Sequence, residues 1–156
     1  MAIREIRKFQ DEVLRKKCKT VETVDDHVRK LLDDLADTLY ATPNSAGLAA
    51  NQVGLLRRLV VIDVGEGLLK LVNPKIIEAD GEQLVIEGCL SFPDVWGEVK
   101  RPKRVVVQAL NENGETIQIE SSEELLTKCL CHEIDHLNGE VFVDKVTRFV
   151  KIEDEA

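Results

Sequence analysis

The sequence predicts an α+β fold, with antiparallel β-sheets packed around a helix in the C-terminal half and a second helix near the N-terminus. Three observations predict it. Residues 25–41 repeat apolar side chains at helical spacing. Residues 55–120 alternate apolar runs with turn signals. A second helical pattern begins near Ser121 and carries the chain's densest group of metal-binding side chains. Strands grouped between two helices, rather than alternating with them, argue against βαβ units.

The first helix takes its start from Asp25 or Asp26, either of which can cap it. Val28, Leu31, Leu32, Leu35, Ala36 and Leu39 form its apolar face, and Pro43 ends it. Residues 44–54 are unusually rich in small side chains. They read as a candidate binding loop, or else as a tight connection under the helix. Residues 59–64 form an apolar run expected to be a buried strand, and residues 68–72 another, stopped by Asn73-Pro74. Strands near 75–79 and 83–86 flank Asp80-Gly81, which predicts a hairpin. Residues 104–110 and 115–120 flank Asn111-Glu112-Asn113-Gly114 and predict a second one. Ser121 with Glu124 fits a capping box for the last helix, which Asn138-Gly139 stops. A short strand at 140–143 and a charged tail complete the expectation.

Composition narrows the function. The chain has 156 residues, 44% hydrophobic and 32% charged, with no repeat or linker to divide it, so residues 1–156 read as one catalytic domain. A net charge of −8 disfavours a nucleic-acid partner, whose phosphates call for a basic surface. The two basic runs, Arg15-Lys16-Lys17 and Lys100-Arg101-Pro102-Lys103-Arg104, read as solvated surface. No apolar run reaches the ~20 residues of a membrane span, and the first residues are charged rather than signal-like. A cytoplasmic protein of bacterial type is expected. Four cysteines in a chain of this kind point to buried, catalytic or metal-binding thiols rather than disulfides.

The strongest signal is His132-Glu133-Ile134-Asp135-His136. Residues four apart share one helix face, so both histidines can meet one metal ion. Glu133 falls about 100° round the helix, beside the ion rather than on it. That is the arrangement of zinc hydrolases, two histidine ligands and a glutamate base. The bland alternative is a pair of polar residues on an amphipathic helix. A catalytic site of this type has three protein ligands and an open position. His27, the remaining histidine, reads as a surface residue near the start of the first helix. The third ligand is therefore sought among Cys, Asp and Glu. Cys89, in Glu87-Gly88-Cys89-Leu90-Ser91 at a strand end, is the best candidate. Cys129 reads as pocket wall or core, and Cys18 and Cys131 as thiols without a role.

Three stretches together resemble the peptide deformylase family. They are Ser45-Ala46-Gly47-Leu48-Ala49-Ala50-Asn51-Gln52, Glu87-Gly88-Cys89-Leu90-Ser91 and His132-Glu133-Ile134-Asp135-His136, in the family's order and at its separations. The resemblance implies metal-dependent removal of the N-formyl group from formylmethionine on nascent polypeptides, releasing formate. It implies Cys89, His132 and His136 as ligands of one divalent metal and Glu133 as the base. Gln52 and the backbone N–H of Leu90 are implied as donors to the oxyanion. Ala46, Gly47 and Gly88 are expected to pair with an extended peptide, and Leu125 and Cys129 to line the methionine pocket. Iron(II) is the metal the family implies physiologically, with zinc, nickel or cobalt admissible in a purified sample. A transient partner is the ribosome, though the short tail after Asp144 departs from members with a longer C-terminal helix. Ser45 stands where the family has glycine, and Cys131 where it often has glutamine. Glu87 and Asp135 are expected to orient ligands or, in the case of Asp135, to serve a salt bridge. Two rival readings differ in chemistry: an HExxH metallopeptidase cleaving ordinary peptide bonds, and a non-catalytic structural zinc domain, which needs a fourth protein ligand.

Overall fold

The computed structural model describes residues 2–151. Helix α1 spans Asp26–Tyr40 and is capped by the Asp25 carboxylate, which accepts from the Val28 N–H at 2.9 Å. Strand β1 (Gly47–Ala49) and a single 3-10 turn (Ala50–Val53) lead to β2 (Leu59–Ile62), β3 (Leu69–Asp80), β4 (Gln83–Cys89), β5 (Phe92–Arg101), β6 (Arg104–Leu110) and β7 (Thr116–Ser121). Helix α2 covers Glu124–Leu137, and β8 (Val146–Val150) follows a 3-10 turn at Phe142–Asp144. One sheet has the order β1-β2-β3-β6-β7, the other β4-β5-β8, and all strand pairs are antiparallel. The α+β class expected from the sequence is the one found.

The larger sheet is covered on both faces near β2. Val60 and Ile62 pack with Leu130, Ile134 and Leu137 of α2. Leu59 and Val61, pointing the other way, pack with Leu32, Leu35 and Leu39 of α1. This explains why 59–62 reads as an unbroken apolar run rather than an alternating one. Helix α2 thus lies inside the molecule, between this sheet and the smaller one, whose inner face is built around Phe92, Val99, Phe142 and Leu14.

Several sequence expectations are corrected. Asp80-Gly81 does turn the chain, with Gly81 at φ 73°, but it joins two sheets and makes no hairpin. The edge of β3 there is already taken by β6 (Asp80 opposite Arg104), and β4 pairs with β5. A turn signal reports the reversal of the chain and not which strands pair. The hairpin at 111–114 is present, joining β6 to β7. Asn73-Pro74 does not stop a strand. Asn73 takes a positive φ of 52° at an irregularity within β3, and its side-chain amide both accepts from and donates to the Val21 backbone. Strand β5 has no sequence signature, because Pro93, Asp94, Gly97 and charged residues break its pattern. The strand expected at 140–143 is a 3-10 turn, and the strand proper, β8, lies in the stretch read as tail. The acidic end of that tail, 152–156, lies outside the described residues. Ser121 does not form a capping box, because the helix opens at Glu124 and Ser121 ends β7. Its hydroxyl instead pairs with that of buried Thr127 at 2.8 Å, fastening the first turn of α2 to the sheet.

Leu130 is fully buried between α2 and the larger sheet. Leu130→Ala is expected to lower the unfolding free energy by about 2–5 kcal/mol, read by urea titration. Leu84→Ala, at a side chain 55% exposed, is expected to change it by less than about 0.5 kcal/mol.

Candidate metal centre and its cleft

Burial of α2 puts His132 and His136 inside the protein on one helix face. Strand β4 ends beside them, and a tight turn through Leu90 and Ser91 returns the chain as β5, with Cys89 opposite Phe92. Cys89 Sγ and the two histidines come together, their donor atoms all within 4.8 Å of one another. Cys89 Sγ lies 3.3 Å from His136 Nε2, which lies 3.2 Å from His132 Nε2. His27, by contrast, is exposed on α1, and Cys18, Cys129 and Cys131 remain outside this group. Burial raises those three thiols, to about 11 for Cys18 and Cys131 and about 12 for Cys129. They stay protonated at neutral pH and are poor ligands.

The three converging atoms fit a divalent transition ion. His132 Nδ1 is 2.8 Å from Glu87 Oε1. With its proton on Nδ1, the ring turns a lone pair on Nε2 toward the centre. Two imidazole nitrogens and a thiolate sulfur suit iron(II), cobalt, nickel or zinc, and only three protein ligands leave a position open.

Glu87 is itself held. Arg101 donates to both its oxygens, Nε to Oε2 at 2.6 Å and a terminal nitrogen to Oε1 at 2.9 Å. The other terminal nitrogen of Arg101 donates to Asp135 Oδ2 at 2.7 Å. Burial works against the Glu87 carboxylate, but the bonds from Arg101 and His132 outweigh it and bring its pKa down to about 2. Burial likewise opposes a charge on His132, yet Cys89, Glu133 and Glu87 together raise its pKa well above the ordinary value. His136 moves well below it, through burial and the neighbouring His132. The basic run 100–104 is thus only partly the solvated surface it resembled: Arg101 is 5% exposed and belongs to the site.

Glu133 faces the same centre from α2. It is buried, and burial raises its pKa to about 7. Gly47 of β1 passes so close that a Cβ there would stand 2.8 Å from Glu133 Oε2. Gln52 is fixed by its Oε1, which accepts from the Ala49 N–H at 3.0 Å, so its NH₂ faces inward. That nitrogen donates to Ser91 Oγ at 3.2 Å and reaches Cys89 Sγ at 3.6 Å.

These groups open onto a cleft of about 390 Å³. Ala46, Gly47, Gly88, Leu125 and Cys129, the residues singled out for substrate, all line it, with Gln52, Leu90 and Glu133. Residues 44–54 divide in two: 44–47 border the cleft, while Leu48, Ala50 and Val53 pack in the α1 core. Ser45 has an ordinary negative φ and sends its hydroxyl to the carbonyls of Leu39 and Thr42, at 3.0 and 2.7 Å. Its place in the motif needs no glycine. The sequence assigns no site role to Arg101, Ser91 or Trp96. Trp96 lies across Gly88, where a Cβ would meet its ring at 2.5 Å.

An α+β scaffold that buries a His-Glu-x-x-His helix against a strand-end cysteine, at the floor of an open cleft, defines a metal-dependent hydrolase. Comparison with known proteins narrows the class. The polypeptide deformylase profile matches residues 3–151. Peptide deformylase 2 of Clostridium acetobutylicum is 58% identical over 97% of this chain and 100% of its own length. Peptide deformylase of Acetivibrio thermocellus is 60% identical over 99% of this chain and 89% of its own. The crystal structure of peptide deformylase from Thermotoga maritima superposes with a TM-score of 0.90 at 38% identity, covering 94% of this chain and 99% of that one. The chain belongs to the polypeptide deformylase family. Its activity is removal of the N-formyl group from nascent polypeptides, and the family is metal-dependent.

The depressed pKa of Glu87 has a consequence for stability. A carboxyl at about 2 in the folded state and near 4.5 when unfolded contributes stability that is complete above pH 4.5 and disappears as pH falls toward 2. For metal-free protein this amounts to about 3 kcal/mol. Denaturant titrations at pH 6 and pH 3 are expected to show a smaller loss in Glu87→Gln than in the wild type. Equal losses contradict the assignment.

Proposed function

We propose that the chain deformylates its substrate with Cys89, His132 and His136 holding one metal ion and Glu133 moving the protons. The observation that carries this reading is the convergence of those three ligand atoms on the cleft floor with a raised-pKa glutamate beside them. When bound, the metal supplies a Lewis acid and a water of lowered pKa. Glu133, near 7, is suited to accept a proton from the attacking water and to return one to the departing amine at neutral pH. The Gln52 NH₂ and the Leu90 N–H donate to the oxygen that becomes negative at the formyl carbon. Each such donor contributes roughly 3–4 kcal/mol to the transition state.

The peptide is held as an added strand along Ala46, Gly47 and Gly88. Its first side chain sits against Leu125 and Cys129 of α2. Iron(II) is the proposed physiological metal, as membership of the family implies; the Cys/His₂ set equally admits zinc, nickel or cobalt in purified protein. One catalytic unit is proposed across the chain, working in a reducing, bacterial-type cytoplasm and meeting nascent peptides transiently at the ribosome. No helix among the described residues is long and apolar enough to cross a membrane.

Formylmethionyl peptides incubated with metal-loaded protein are expected to yield formate and a free amino terminus. Cleavage of an internal peptide bond without formate favours the metallopeptidase reading instead. Glu133→Ala is expected to retain one metal per chain while kcat falls at least about 100-fold. Substantial turnover in that variant removes Glu133 from the proton-transfer role.

A further inference from the structure

We propose that Lys128 is a specificity-determining residue that favours an acidic side chain on the third residue of the substrate, counting the formylated residue as the first. The inference rests on the deformylase reading of the cleft and extends it to residues beyond the formylated one. Lys128 is the one lysine or arginine lining the cleft among the described residues. It stands one turn before His132 on α2, on the face that also carries Leu125 and Cys129. No carboxylate among the described residues pairs with it, and its ammonium donates only to the Ile86 carbonyl, at 2.9 Å. A cation resting on a backbone acceptor is free to exchange it for an anion.

The position of Ile86 says which part of a peptide meets this cation. Strand β4 is the edge of its sheet, paired with β5 on one side only. The Ile86 carbonyl faces the open side, where Lys128 reaches it. Gly88, two residues on, borders the same cleft nearer the metal ligands. A peptide with its first residue against Gly88, running antiparallel to β4, brings its third residue to Ile86. Side chains one and three of an extended strand point the same way, and side chain two points opposite. The first faces Leu125 and Cys129 on α2, so the third faces α2 as well, at Lys128.

The other charged groups on the cleft make the preference local. Glu87, Glu133 and Asp94 line it, and the chain carries a net charge of −8. Glu87 is already paired with Arg101, and Asp94 and the net charge give the cleft no other cation that would draw an acidic side chain to position three. A preference for acid at position three, and not at position two, runs against the general field and marks one residue.

The test compares kcat/KM, from formate release, for four C-terminally amidated peptides. They are formyl-Met-Ala-Ala-Ala, formyl-Met-Ala-Glu-Ala, formyl-Met-Ala-Lys-Ala and formyl-Met-Glu-Ala-Ala. In the wild type, glutamate at position three is expected to exceed lysine there by about fivefold, mostly through KM. That ratio should shrink in 0.5 M NaCl. Glutamate at position two should give no gain over alanine. Lys128→Met is expected to abolish the position-three preference and Lys128→Glu to reverse it. A wild-type ratio of one, a ratio that Lys128→Met leaves unchanged, or an equal gain at position two overturns the proposal. Failure of the all-alanine peptide to release formate overturns the deformylase reading beneath it.

Discussion

Arg101 carries a full positive charge into a region with almost no exposed surface, and three parts of the molecule meet on it. It lies at the end of β5, clasps Glu87 of β4 with two hydrogen bonds and reaches Asp135 of α2 with a third. Glu87 passes the constraint to His132 through a 2.8 Å contact. A buried ion cannot be left unpaired without a cost of about 3–5 kcal/mol, so these groups stay together or the region opens. The histidine ring therefore has one orientation before any metal arrives, and the contact with Glu87 selects the Nδ1–H tautomer when the ring gives up its second proton.

The rest of the site is arranged around the helix so fixed. Cys89 comes to it because β4 ends there, and Gln52 because its own carbonyl oxygen is tied to the backbone of Ala49. Gly47 and Gly88 are required for space rather than for a special backbone angle. One lets β1 pass against Glu133, and the other lets Trp96 lie across β4. Enclosure between the two sheets buries His132, Glu133 and His136, while Cys89 is partly exposed on the cleft. The same burial that raises Glu133 toward neutrality forces Glu87 to keep its partners, so two carboxylates on one site are separated by about 5 pH units, near 7 and near 2. One is poised to exchange protons and the other to stay ionised.

Much of this could be read from the sequence because its signals are local. The spacing of His132 and His136 is helical geometry, and the apolar face of α1 is periodicity. What depends on distant pairing could not be read. Asp80-Gly81 announces a turn but not that its two strands enter different sheets. Strand β5 hides behind Pro93, Asp94 and Gly97 because its partners, β4 and β8, supply the pairing that its own residues disfavour. Arg101 looked like surface within a basic run, since nothing local shows that Glu87 and Asp135 wait for it. Lys100 and Lys103 in the same run are exposed, as read. Ser45, a departure from the family motif, is absorbed by two carbonyls at the end of α1.

The central claim is that one sulfur and two imidazole nitrogens of this chain hold the metal, with Cys129 and Cys131 outside its coordination. X-ray absorption spectroscopy of the protein loaded with a single equivalent of zinc or cobalt tests this directly. One sulfur and two imidazole nitrogens, completed by a light oxygen ligand, are the predicted coordination. Two sulfurs with no oxygen, the signature of a closed structural site, or no sulfur at all, would contradict it.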